Sequence, residues 1–203
     1  LFVVISCTFC RDVFDGKRIH SHDNTQFKGM AKELGDFRKA NNEEPLWTNS
    51  MFGGMPTYQI STVYPNNLLK QLDFLVMNKL PRPLGYVSMY MLGFYILLIV
   101  LKVPWRYAFA GSVAFAFSTY FIIILEAGHN TKANSIGHVA PLIAGVILSY
   151  RGKYLIGLAV TSLFLGLNIA ANHVQVTYYA GLCVVILVLS LIHISEPTRL
   201  RSI

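Results

Sequence analysis

Charged residues are scarce in this chain, and their scarcity argues against an ordinary soluble domain. They make up 13% of the 203 residues, whereas soluble domains contain about 25%. Hydrophobic residues account for 54%, and the mean hydropathy is +0.48. The deficit is uneven, because residues 11–85 hold 10 of the 17 basic and 8 of the 10 acidic residues. The composition therefore predicts a membrane-embedded part together with one large polar loop.

Cysteine is also rare, with three in the whole chain. Cys7 and Cys10 have the C-x-x-C spacing of redox and metal sites, but the sequence offers no second pair of ligands. Together with Cys183 they lie in apolar segments. We therefore interpret all three as small residues packed in helices and assign no metal to them.

Positive charge is in excess, at a formal net charge of +7, but it is not gathered into one run. Basic residues alternate with acidic ones or flank apolar segments. This distribution is typical of a membrane protein rather than of a nucleic-acid-binding protein. We therefore expect the lipid bilayer, and no nucleic acid, as a partner, and the sequence leaves the oligomeric state open.

Five apolar segments follow the polar loop, each close to the length of about 20 residues that crosses a bilayer. Helices are their only plausible spanning form, because lipid leaves every backbone N–H and C=O to be paired internally. We therefore predict an all-α, polytopic transmembrane helix bundle. Residues 1–10 are expected to be the end of a further helix that starts earlier, with a signal-peptide core as the alternative. The five predicted spans are 85–103, 107–125, 134–150, 154–171 and 177–188.

Basic residues are unevenly shared between the short loops that join these spans. Two loops on one side hold four of them, and the two loops on the opposite side hold one. Since Lys and Arg mark cytoplasmic loops, the long loop 11–84 is predicted to be extracytoplasmic. The four are Lys102, Arg106, Arg151 and Lys153, and the single one is Lys132.

The polar loop contains two patterns of amphipathic helices. Residues 24–39 carry an apolar stripe at helical spacing, and Asp23 with Gln26 at its start resembles a capping box. A second stripe, at residues 68–76, predicts a helix lying along the membrane surface. Residues 43–58 between them mix aromatic, amide and glycine residues, which suits a binding loop or a loop folded onto the bundle equally well.

Polar side chains within the apolar segments cluster at one predicted membrane face, the one that holds the long loop. Such residues are costly in lipid, and their common side predicts a polar cavity that opens outward beneath loop 11–84. Each also has a structural interpretation: the asparagines as helix–helix hydrogen bonds, His138 as a packing histidine, and Glu126 as a partner of Lys132. The set comprises Glu126, His129, Asn130, Lys132, Asn134, His138, Asn168, Asn172, His173 and Gln175.

The last fifteen residues differ from the rest of the chain. Residues 189–199, LSLIHISEPTR, resemble the translation of a sequencing adapter read through at the end of a DNA insert. We therefore interpret residues 189–203 as a probable non-native tail and expect the natural protein to continue beyond residue 188. A natural polar C-terminus is the alternative.

Several separated motifs resemble the bacterial YfhO-type membrane proteins, in particular the Bacteroidetes branch, over residues 1–188. Members of that family resemble GT-C glycosyltransferases, which transfer a sugar from a polyprenyl-phosphate donor on the outer membrane face. The resemblance therefore implies the N-terminal part of a longer enzyme whose substrate is a lipid-linked sugar. The motifs are EEPLWTNSMFGGMPTYQIS, YPNNL, FIIILEAGHNTKANSIG, SYRGKYL and NHVQVTYY.

The same resemblance implies that Asp23, in the first external loop, is the catalytic carboxylate. A carboxylate could take or position the proton of the acceptor hydroxyl, and the leaving phosphate needs cationic or N–H donors. Asp23 as a helix cap, and Asp12 or Asp15 as the catalytic group, are alternatives. No metal site is predicted, although His20 and His22 near Asp23 leave a divalent metal open as a cofactor. The residues expected to bind substrate are His129, Asn130, Lys132, His138, Asn172 and His173.

Two other functions fit the sequence. A transporter or flippase would use the polar cavity as a pathway, but such proteins often contain internal repeats and helices interrupted at the midplane. The chain shows no repeat, and its polar residues lie near one face, which favours the enzyme. A non-catalytic scaffold for envelope assembly is the third hypothesis, and it predicts that substitution of Asp23 or His129 is silent.

Overall fold

Helices make up nearly all of the regular structure, which confirms the predicted all-α class. The computed structural model describes residues 1–17, 19, 21–61, 66–77 and 79–195. Within them, the only strands are two-residue segments, β1 (Trp47–Thr48) and β2 (Met55–Pro56), which pair antiparallel. The helices are α1 (Phe2–Phe9), α2 (His22–Met30), α3 (Lys32–Asn41), α4 (Leu68–Val76), α5 (Leu84–Val100), α6 (Trp105–Ala116), α7 (Thr119–Ala127), α8 (Asn130–Tyr150), α9 (Tyr154–Ala170) and α10 (Val174–Ser195).

The apolar helices differ in their ability to cross a membrane. Among the described residues, α8 and α10 are each long and apolar enough, and the α6–α7 pair passes the same test as one broken span or re-entrant loop. Helices α5 and α9 are apolar but have 17 residues each. At 1.5 Å per residue they rise about 26 Å, which is short of a hydrocarbon core of about 30 Å. The chain thus has the helices of a membrane protein, while five complete spans remain a prediction.

The predicted span 107–125 is not one continuous helix, which differs from the sequence prediction. Helices α6 and α7 meet at a bend of 42°. The chain leaves helical geometry at Ser118, whose φ and ψ are −62° and 143°. Serine favours the position before a helix because it competes for backbone hydrogen bonds inside one. The apolar pattern runs through this break, so hydropathy alone does not reveal it.

Helix α8 lies at the centre of the bundle, packed between α5 and α9. Its contact with α9 is close, because a Cβ atom on Gly157 would lie 2.6 Å from the backbone nitrogen of Ser149. On the other side, the hydroxyl of Tyr90 in α5 donates to the carbonyl of Ala133 at 2.8 Å. Small residues and one buried hydrogen bond therefore set the positions of α5 and α9 around α8.

The polar segment folds as two short helices rather than as one helix over residues 24–39. The break between α2 and α3 falls at Ala31, just after Gly29, and glycine is a poor helix former. Of the apolar stripe, Leu34 is fully buried, whereas Phe27 and Phe37 are 45% and 40% exposed. Of these three positions, the stripe is therefore buried only at Leu34.

Helix α10 extends past the predicted end of the last span. It runs to Ser195 and so includes the first residues of the segment interpreted as a non-native tail. Residues 196–203 lie outside the described residues.

Candidate functional site

The carboxylate of Asp23 and the imidazole of His129 are in contact, although the two residues are far apart in sequence. The Oδ2 atom of Asp23 lies 2.7 Å from the Nδ1 atom of His129, and both side chains are about half exposed, at 46% and 50%. Asp23 lies in the first turn of α2, and His129 is the residue immediately before α8. The partial positive charge at the start of α8 also favours a carboxylate there. The structure thus joins the two residues on which the catalytic interpretation depends.

The expected capping role of Asp23 is not what the structure shows. Ser21 is the residue that precedes α2, and no side chain there makes a capping hydrogen bond. The carboxylate of Asp23 contacts His129 instead of the first turn's backbone. The interpretation of Asp23 as a simple helix cap is therefore wrong.

A second contact fastens the same two segments together. The side-chain amide of Asn130 donates to Oδ1 of Asn24 at 2.9 Å. Gly128, which precedes this pair, has a φ of +87° and lies against the side chain of Ser21, so that a Cβ atom would collide with it. The turn between α7 and α8 is therefore docked on the start of α2 through three consecutive residues.

The pairing determines which ring nitrogen of His129 can act on a ligand. Nδ1 is the ring nitrogen beside the carboxylate, which leaves Nε2 away from it. A neutral ring that carries its hydrogen on Nδ1 would present Nε2 as the proton acceptor. A carboxylate that holds an imidazole in this way also stabilises the imidazolium that forms when Nε2 takes a proton. The exposure of both side chains leaves the pair accessible to a substrate.

A second polar cluster lies inside the bundle and includes a residue that the sequence interpretation missed. Asp73, in α4, accepts from the amide of Asn134 at 2.7 Å and lies 2.9 Å from Nε2 of His138. The side chain of His138 is fully buried, and that of Asp73 is 15% exposed. A buried carboxylate is costly unless it is paired, and here two side chains of α8 pair with it.

The sequence does contain a signal for Asp73. On a helix it falls on the same face as Leu69 and Val76, at spacings of four and three residues. An acidic residue within an apolar stripe predicts an inward-facing partner, which a purely surface-lying helix would not need. The contacts of α4 with α9 agree with a helix that is docked on the bundle.

The remaining predicted substrate-binding residues lie elsewhere. The ammonium of Lys132 is 5.5 Å from the ring centroid of Tyr120, at an apolar crevice of about 450 Å³ that Phe115 and Val139 also line. Asn172 forms the turn between α9 and α10 with a φ of 57°, and Nδ1 of His173 accepts from the backbone N–H of Val176 at 3.3 Å. These three residues are thus held in separate local contacts, apart from the Asp23–His129 pair.

Asn168 forms helix–helix hydrogen bonds, which is the structural role that the sequence analysis offers for it. Its amide donates to the carbonyl of Ser135 at 2.8 Å, and its oxygen accepts from the hydroxyl of Thr177 at 2.7 Å. Three helices, α8, α9 and α10, are joined through this one side chain. Interhelical bonds of this kind contribute about 1 kcal/mol each.

A carboxylate of α3 holds the loop that joins the two short strands. Glu33 accepts hydrogen bonds from the hydroxyl of Thr48 and, at 3.1 Å, from the backbone N–H of Ser50. These bonds, led by that from Thr48, lower the pKa of Glu33 below its ordinary value. The loop keeps Trp47 and Phe52 largely exposed, at 56% and 90%. It is therefore fixed in place while presenting aromatic surface.

The sequence leaves two alternatives for chemistry near Asp23: another aspartate as the catalytic group, and a metal ion held by the nearby histidines. Asp12 pairs with Lys17 at 3.1 Å on the surface. His22 contacts Gln26 at 3.4 Å, and His20 lies outside the described residues. Across the part of the chain that the structure describes, no three His, Cys, Asp or Glu side chains are grouped to hold a metal ion.

Comparison of the chain with protein-family models, with curated proteins and with solved structures finds no match.

Proposed function

We propose that this chain is part of an integral membrane glycosyltransferase-like protein. It transfers a sugar from a polyprenyl-phosphate donor to a cell-envelope acceptor, on the extracytoplasmic face of a bacterial inner membrane. The observation that carries the proposal is the contact of 2.7 Å between Asp23 and His129. It combines a carboxylate with an imidazole at the end of an apolar helix bundle, where a membrane-bound donor and a water-soluble acceptor could meet.

The reaction needs a group that accepts the proton of the acceptor hydroxyl as the sugar is transferred. Asp23 is the catalytic carboxylate, as the resemblance to the YfhO-type proteins implies. It acts either directly or by orienting His129, whose Nε2 atom then receives the proton. Asn130 lies next to His129 and supplies an amide donor at the same place.

The sidedness of the proposal rests on the distribution of basic residues between the short loops. Lys102, Arg106, Arg151 and Lys153 mark the cytoplasmic side. The turn that carries His129 is at the opposite ends of α7 and α8 from these residues. Asp23 contacts that turn, which supports the proposal that it lies on the extracytoplasmic face with the rest of loop 11–84.

A transporter or flippase is the second candidate, and one observation favours it. The pair of Asp73 and His138 lies inside the bundle with the imidazole fully buried. Paired ionisable groups within membrane helices often belong to ion or proton pathways. Transport predicts that substitution of His138 stops substrate movement, whereas sugar transfer predicts that substitution of Asp23 stops chemistry.

The test is sugar transfer to the envelope acceptor by cells that carry the full-length protein with Asp23→Asn. We expect transfer to be abolished while the amount of protein in the membrane is unchanged. Asp36→Asn is the matched control, because Asp36 is an exposed carboxylate on α3, and it retains transfer. Normal transfer by Asp23→Asn at equal protein level would exclude Asp23 as the catalytic group.

A further inference from the structure

A cleft of about 660 Å³ lies beside the Asp23–His129 pair. Asn24 and Asn130, the neighbours of that pair in sequence, form part of its wall. Every charged side chain among the described residues that line it is basic: Lys17, Lys28 and Arg82. We call this space the basic cleft.

The cations of the basic cleft are not neutralised within it. Lys28 and Arg82 are exposed, and the guanidinium of Arg82 lies 5.6 Å from the ring centroid of Tyr86. Lys17 pairs with Asp12, but both side chains are more than 60% exposed, so water screens that pair and it is weak. The cleft therefore presents positive potential that favours an anion.

Tyr86 contributes to the wall of the basic cleft and is fully buried. Its hydroxyl has no hydrogen-bond partner among the described residues, but the oxygen is enclosed by the protein. The three cations, and not this hydroxyl, are therefore the groups that a ligand in the cleft can reach.

We propose that the basic cleft binds the phosphate group of a phosphate-bearing ligand through Lys17, Lys28 and Arg82. A phosphate monoester offers three acceptor oxygens and up to two negative charges, which match three cations better than a single carboxylate does. Arginine and lysine are the side chains that usually recognise phosphate. Phosphate binding at this cleft is measured without sugar transfer, so its failure is distinct from failure of the proposed catalytic step.

Two sources could supply this group, a lipid headgroup or a soluble phosphate compound. Apolar side chains, among them Phe27 and Leu125, also line the cleft, so an amphiphilic ligand fits it. The experiment measures binding of short-chain phosphatidic acid and of inorganic phosphate to the purified chain in detergent. Short-chain phosphatidylcholine, which is zwitterionic, is the ligand control, and no sugar donor is present.

The key variant is Lys17→Gln/Lys28→Gln/Arg82→Gln. Its matched control is Lys32→Gln/Lys39→Gln/Lys70→Gln, which removes the same charge from exposed positions of α3 and α4. We expect the cleft variant to bind phosphatidic acid at least about tenfold more weakly and the control to bind it nearly as wild type does. Elution as a single species in gel filtration shows that each variant is folded.

Binding of phosphatidic acid alone identifies a lipid headgroup as the ligand, and binding of inorganic phosphate identifies a soluble source. Either result supports the proposal when the cleft variant loses it and the control does not. Absence of binding by both compounds would overturn the proposal. Equal weakening in the cleft and control variants would also overturn it, because it would show general attraction to a basic protein.

Discussion

The Oδ1 atom of Asp73 lies 2.9 Å from the Nε2 atom of His138, so a carboxylate of the short helix α4 reaches a fully buried imidazole of α8. The other oxygen of the same carboxylate accepts from Asn134. This contact fixes α4 on the bundle. The connection from α4 to α5 begins after Val76, three residues beyond Asp73, and it carries Arg82 of the basic cleft.

Substitution of Asp73 by Ala is predicted to destabilise the bundle. Removal of the carboxylate leaves the buried side chains of His138 and Asn134 without their hydrogen-bond partner, which costs about 1–3 kcal/mol. Thermal unfolding in detergent, followed by gel filtration, measures the loss as a lower midpoint than that of wild type. Asp36→Ala, at an exposed site on α3, is expected to have little effect. An unchanged midpoint for Asp73→Ala would show that α4 is not fastened through this carboxylate.

The contact of Glu33 with the loop is predicted to depend on pH. Because hydrogen bonds from Thr48 and Ser50 lower the pKa of Glu33, its stabilising contribution is present above the ordinary pKa and is lost as the pH falls through the lowered one. We therefore expect the loop to loosen only at a pH below the ordinary pKa of a glutamate. Fluorescence of Trp47 follows this change in a Trp105→Phe background, since the chain has two tryptophans.

Glu33→Gln removes the titrating group and is predicted to abolish this fluorescence step. Asp36→Asn, on the same helix, is the control and is expected to keep it. A step of equal size in Glu33→Gln would assign the pH dependence to another group.

The close packing of α8 against α9 predicts that Gly157 does not tolerate a side chain. A Cβ atom there would lie 2.6 Å from the backbone nitrogen of Ser149 and 2.9 Å from the carbonyl oxygen of Gly145. Backbone atoms move only with the helix, so Gly157→Ala should destabilise by about 1–3 kcal/mol. Gly181→Ala, where nothing lies within 4 Å of the added atom, is the control. Equal midpoints of thermal unfolding for the two variants would contradict the packing.

Much of the fold follows from the sequence, because long apolar runs must be helical in lipid and their ends are marked by basic or polar residues. The bend between α6 and α7 does not follow from the sequence. Ser118 lies within a continuous apolar pattern, and a single serine does not distinguish a break from a continuous helix. The division between α2 and α3 is similar, because the apolar stripe continues across Ala31.

The candidate site, like the fold, follows only in part from the sequence. Sidedness alone grouped Asp23 with His129, and the structure brings them into contact. Sidedness does not specify the direction of a side chain around its helix, which is why Lys132 lies at an apolar crevice instead and His173 bonds within its own turn. The sequence analysis does not identify Asp73, because it predicts that the helix of Asp73 lies on the membrane surface with no inward partner.

The central claim is that Asp23 and His129 act as one unit in sugar transfer. The most direct measurement compares the rates of transfer by the full-length protein with Asp23→Asn, His129→Gln and both substitutions, at equal amounts in the membrane. Residues that act together are not additive, so each single variant should lose about 100-fold or more, and the double variant should lose little beyond that. Wild-type transfer by Asp23→Asn, or losses that multiply in the double variant, would contradict the account.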